Sequence, residues 1–163
     1  MSGLTIFTLI HVVISLLAIG SGFVVLFGLI AGKRLDGWTA FFLATTIATS
    51  VTGFGFPIHG ITPGIGIGII SLLVLTVAIF ARHARRLTGI WRLVCVVTAV
   101  IALYLNFFVL IVQSFQKVPV LKTLAPTQSE PPFAITQLIA LAAFIALGVL
   151  AAFRFRSEPV RAA

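Results

Sequence analysis

Long apolar runs broken by short polar punctuation make up the chain, and the punctuation marks the elements. The runs are far longer than the roughly four to eight residues of a buried strand and show no narrow apolar stripe. They predict helices that are hydrophobic all round. The first covers residues 4–31 and stops at GKRLDG, where glycine and basic residues end a helix and Asp36 can cap the next. The second, rich in threonine, covers 38–56 and breaks at Pro57 within PIHGITPG. Thr62 followed by Pro63 reads as a cap with proline at the first helical position, which starts a third helix over 63–81. RHARRLTG, with Thr88 as the capping residue, leads into a fourth over 90–116. KVPVLKTLAPTQSEPPF is the longest stretch that is not an apolar run, and a fifth helix over 133–153 follows Pro131 and Pro132.

Each run approaches or exceeds the ~20 residues that cross a hydrocarbon core of ~30 Å. Composition sharpens this reading. The 163 residues are 60% hydrophobic and 9% charged, whereas a soluble domain carries roughly 25% charged residues. A mean hydropathy of +1.24 agrees. The expected fold class is an all-α polytopic transmembrane helical bundle of five spans, forming a single domain over residues 1–163. The N-terminus lacks the positive leader and small-residue cleavage site of a signal peptide, so the first span is expected to be retained.

The net charge of +8 would suggest nucleic acid in a soluble protein. Its distribution points elsewhere. With five spans, one side receives Lys33, Arg34, Arg82, Arg85, Arg86, Arg92, Arg154, Arg156 and Arg161, and the other only Lys117 and Lys122. The positive-inside rule then places the N-terminus outside and the C-terminus in the cytoplasm, as a multi-pass protein of the bacterial inner membrane. Anionic lipid headgroups are the expected partners of the basic face, at about 1 kcal/mol each, and nucleic acid is not expected. Trp38 and Trp91 start their helices on that side as interfacial anchors, with Arg92 snorkelling beside Trp91.

Lipid does not press helices together, so close packing needs small residues. Ala18, Gly22, Gly28 and Gly32 supply them on the first helix, Thr45, Thr49 and Gly53 on the second, and Gly64 and Gly68 on the third. The fifth helix offers Ala142, Ala146, Gly148 and Ala152. These faces suit a tight bundle and leave open a homo-oligomer or a membrane-protein partner.

No Asp, Glu, Lys or Arg lies near the middle of a span, which disfavours a proton-coupled pump. The remaining polar groups gather towards the extracytoplasmic half. His11 lies about 10 Å below the outer end of the first helix, followed by Ser15, Ala18 and Gly22 at helical spacing. Asn106 and Gln113, seven apart, share a face of the fourth helix. Thr52, His59, Glu130 and Gln137 project to the same half, and Ser71 lies one to two turns into the third helix. Either these groups bond across helices and do nothing more, or they line an outward-open cavity for a small molecule, lipid headgroup, quinone or metal-containing cofactor. Glu130 can alternatively cap the fifth helix beside Pro131. Haem would need His11 and His59 at matched depth. Zinc would draw on His11, His59 and Glu130, with no spacing signal to support it. His83 stands among arginines on the cytoplasmic face. Cys95, the single cysteine, reads as a buried apolar side chain. No serine or cysteine has an activating neighbour, so no catalytic residue emerges.

Three stretches, IHVVISLLAIGSGFVVL with its leading histidine, GKRLDGW before the threonine-rich helix, and ARHARRLTGIWR, resemble a bacterial family of multi-pass membrane proteins of unknown function. The resemblance covers helices one to four and implies a fold with His11 as the matched polar position. It implies no activity, and the chain departs from the pattern in its distinct fifth helix. The expectation is therefore a membrane bundle that binds a small molecule, lipid or cofactor. The alternatives are a haem- or quinone-binding electron-transfer protein and a structural subunit of a larger complex.

Overall fold

The computed structural model describes residues 3–56 and 63–155, and the apolar runs among them fold as helices with no strand between. α1 is Gly3–Ile30, α2 Asp36–Gly53 and α3 Pro63–Ile79, which continues as a π-helical turn over Phe80–Ala84. α4 is Ile90–Lys117, α5 the short Pro119–Leu124, and α6 Pro131–Arg154. Four stretches, Gly3–Ile30, Gly64–Ala84, Ile90–Lys117 and Pro131–Arg154, are long and apolar enough to cross a membrane.

α2 has the length, at 18 residues, but Asp36 and its threonines lower its hydropathy. Most of the hydroxyls on this helix do not stand bare. Thr39, Thr45, Ser50 and Thr52 each donate to the carbonyl four residues back, at 2.7 to 3.0 Å, which removes most of the cost of taking them out of water. α2 can therefore lie against α1, its most extensive neighbour, and against α3.

Small residues set the seams. A Cβ on Gly22 of α1 would stand 2.5 Å from Leu103 of α4 and 2.8 Å from Phe42 of α2, so three helices converge where only glycine fits. α6 docks through rings, with Phe144 5.8 Å from Phe23 and 5.4 Å from Phe107. Phe42, Leu26, Leu75, Leu103 and Val96 form the fully buried centre.

The ends of the bundle differ. At one end Asp36 accepts from Arg34 at 2.8 Å and also from Arg82, tying the start of α2 to the π-helical turn after α3. Asp36 thus lies inside the first turn of α2. Leu35 occupies the cap position without a side-chain bond. The cap expected from Thr88 is likewise replaced. Leu87, 3% exposed, turns into the core through left-handed backbone at Arg86 and Leu87. The Thr88 hydroxyl therefore points back to the Arg85 carbonyl at 2.8 Å, and Gly89, with φ of +54°, precedes α4. Arg85 lies over the Trp91 ring, 5.1 Å from its centroid, and Arg92 reaches the Ala152 carbonyl at the end of α6.

α5 is an element the sequence pattern does not announce. Pro119 stands in its first turn, and Leu121 and the following Ala125 pack against Ile111, Phe115 and Ala140. Six residues are too few for a helical period to show. The cap and proline expected at Thr62 and Pro63 fall at the edge of the description, Thr62 and His59 lying outside the described residues.

Candidate functional site

α1 and α2 run antiparallel, which brings His11 against the last turn of α2. His11 Nδ1 lies 2.8 Å from Thr52 Oγ1. Thr52 has one hydroxyl hydrogen, and it is directed to the Ala48 carbonyl at 2.7 Å. With that hydrogen on the carbonyl, the hydroxyl accepts here and Nδ1–H donates. In the neutral ring this leaves Nε2 with its lone pair. Phe56 meets the imidazole edge-on at 5.1 Å between ring centroids, and Ser15 bonds back to the His11 carbonyl at 2.7 Å.

Beyond the Gly22–Leu103 contact, towards the His11 end, α1, α2, α3 and α4 enclose a cavity of about 560 Å³. Its floor includes Ile19 and Asn106, each 8% exposed and about one turn past Gly22 and Leu103. The volume lies within the ~300–1,000 Å³ of ligand pockets. Ile65, Ile67, Val109 and Leu110 add apolar wall, and Val12 and Leu16 stand where α1 turns outward, 39% and 52% exposed.

Polar groups come from all four helices: His11 and Ser15, Thr49 and Ser50, Ser71, and then Asn106, Gln113 and Lys117. Several have hydrogen-bonding capacity to spare. Asn106 donates through Nδ2 to Thr46 Oγ1 at 3.2 Å, and its Oδ1 has no partner among the described residues. The Ser71 hydroxyl and the Gln113 amide have none there either, although Ser71 is only 3% exposed. Thr49 Oγ1 is buried and unbonded. Buried polar atoms in folded proteins nearly always find partners; Thr49 Oγ1, Ser71 and Asn106 are the buried members of this set, and Gln113 is exposed. Among the described lining residues Lys117 is the charged one, and no carboxylate joins it.

The structure thus brings together His11, Ser15, Asn106 and Gln113, with Thr52 positioning His11 from behind. It does not bring in Glu130 or Gln137. Glu130 accepts from the Thr127 hydroxyl at 2.8 Å and from the backbone N–H groups of Thr127 and Ser129 at 3.1 Å, which organises its own loop. Slight desolvation raises its pKa, and these bonds outweigh it and hold the carboxyl below its ordinary value. Gln137 lies at the α4–α6 seam, donating to the Phe108 carbonyl at 3.4 Å. His59 lies outside the described residues, which leaves the haem and zinc pairings without geometry. Among the described residues no three of His, Cys, Asp and Glu gather as metal ligands. His83 bonds the Ile79 carbonyl at the basic end.

Ser71 and Lys117 were the less legible members. The step that pairs Asn106 with Gln113 reaches Lys117 after four more residues, and Ser71 follows Gly64 and Gly68 on one face of α3. No family model matches this chain, and neither a curated protein nor a solved structure matches it.

Proposed function

We propose that this chain is a five-span protein of the bacterial inner membrane, with the N-terminus outside, that binds a small neutral or anionic molecule in its extracytoplasmic half. The fifth span is α2, whose internally bonded hydroxyls make a threonine-rich helix tolerable in a bilayer. The orientation is supported by Lys33, Arg34, Arg82, Arg85, Arg86, Arg92 and Arg154 on one side against Lys117 and Lys122 on the other. The basic face holds the bundle on anionic headgroups.

The observation that carries the binding reading is the 560 Å³ cavity lined by unbonded hydrogen-bonding groups from three helices. Among the described lining residues, the lone ammonium of Lys117 and the lack of a carboxylate favour an uncharged or anionic occupant. The test is mass spectrometry of small molecules extracted from protein purified in mild detergent, comparing wild type with Ser71→Leu, which fills the cavity. A molecule near one equivalent in the wild type and depleted in a folded Ser71→Leu protein supports the reading. Identical extracts overturn it.

A further inference from the structure

Resting on that reading, we propose that the cavity takes a lipid-soluble dihydroxy aromatic of the quinol type, and prefers the reduced quinol to its quinone. Two hydrogen-bond acceptors belong to residues that line this one cavity from separate helices: Nε2 of His11 on α1 and Oδ1 of Asn106 on α4. Each is made an acceptor by what holds the rest of its side chain. The Thr52 hydroxyl, committed to Ala48, takes the Nδ1 proton of His11. Thr46 takes one Asn106 amide hydrogen and so holds Nδ2 against α2.

A quinone would present carbonyl lone pairs to these lone pairs. A quinol presents two O–H donors on a rigid flat ring, one for each wall. The Ser71 hydroxyl and the Gln113 amide can donate or accept, and the Lys117 ammonium can donate to an oxygen of either form, so the selection rests on the His11 and Asn106 acceptors. Ile19, Ile65 and Leu110 supply apolar surface for the ring. The exposed Val12 and Leu16 mark a side of the cavity along α1 where an apolar tail passes into acyl chains. No electron transfer is part of the proposal. The selection is one of binding alone.

The chain carries its own reporter. Cys95 is the single cysteine and is buried, so a fluorogenic maleimide reads unfolding, and ligand binding raises the unfolding temperature by mass action. Decyl-ubiquinol and decyl-ubiquinone are titrated without oxygen, their fully substituted rings being inert to the thiol. The expected result is an apparent affinity about tenfold higher for the quinol, the scale of one desolvated hydrogen bond. Thr52→Val releases the His11 tautomer, and the preference is expected to shrink towards parity while binding persists. Equal wild-type affinities, or a preference for the quinone, overturn the proposal. So does the absence of binding by either form. In that case a different molecule depleted by Ser71→Leu leaves the broader reading standing, and its absence removes both.

Discussion

The His11 ring and the Thr52 hydroxyl meet at 2.8 Å across a sequence separation of 41 residues, and the contact fixes both the seating of α1 on α2 and the face that the imidazole offers. Thr52→Val keeps the side-chain volume and removes the acceptor. It is expected to cost about 1 kcal/mol, since hydrogen bonds between membrane helices are modest. Nitrogen NMR of the histidine side chains provides the sharper check. The wild-type neutral ring should carry its proton on Nδ1, and Thr52→Val should populate the other tautomer. A wild-type ring protonated on Nε2 would show that the donor assignment is wrong.

Gly22 tests the seam beneath the cavity. Its added Cβ would lie 2.5 Å from Leu103 Cδ1 and 2.8 Å from Phe42 Cε2, and both neighbours are 1% exposed. Neither can yield without moving the core. Gly22→Ala is expected to lower stability by about 1–3 kcal/mol, the usual cost of overpacking. Gly20, which has nothing within 4 Å of a Cβ, is the control. Gly20→Ala should unfold at or slightly above the wild-type temperature. Equal behaviour of the two variants in thermal unfolding would refute the three-helix contact.

Much of this arrangement was legible because an apolar run must be a helix and polar residues seven apart must share a face. That logic found the helices and joined Asn106 to Gln113. It also placed His11 and Ser15 on one side of α1. It failed where tertiary contacts decide. Asp36 and Thr88 carry capping chemistry, yet Arg82 draws Asp36 into an ion pair and the buried Leu87 turns Thr88 backwards. Gln137 looks like a site residue by depth alone, but its helical face is directed at α4. Depth can be counted from a sequence, whereas the neighbour across a seam cannot.

The two paired carboxyls, both at the polar ends of the bundle, predict an acid limit to stability. Slight burial raises the Asp36 pKa, but the bond from Arg34 and the charges of Arg82 and Arg34 outweigh it and hold the carboxyl below its ordinary 3.8. Glu130 is held below its ordinary 4.5 by its loop bonds. A carboxyl depressed in the fold contributes stability that is present above its unfolded value and lost as pH falls through its folded value. Unfolding temperature should therefore begin to fall below about pH 4.5. The Asp36→Asn, Glu130→Gln double variant should start less stable at neutral pH and show a shallower acid slope. Parallel profiles for the two proteins would remove both carboxyls from the account.

Gln137 separates a polar residue that belongs to a site from one that is merely buried. It is 9% exposed, its Oε1 is buried and unbonded, and its Nε2 contact with Phe108 is long at 3.4 Å. A desolvated carbonyl oxygen without a partner is a cost that a similarly shaped apolar side chain does not carry. Gln137→Met is therefore expected to leave the unfolding temperature unchanged or raise it, and to leave small-molecule retention as in the wild type. Asn106→Leu should do the opposite on both counts. It strips the fully buried Thr46 hydroxyl of its partner, at about 1–3 kcal/mol, and it removes an acceptor from the cavity wall. A loss of stability of more than about 1 kcal/mol in Gln137→Met, or loss of the retained molecule, would return Gln137 to the site.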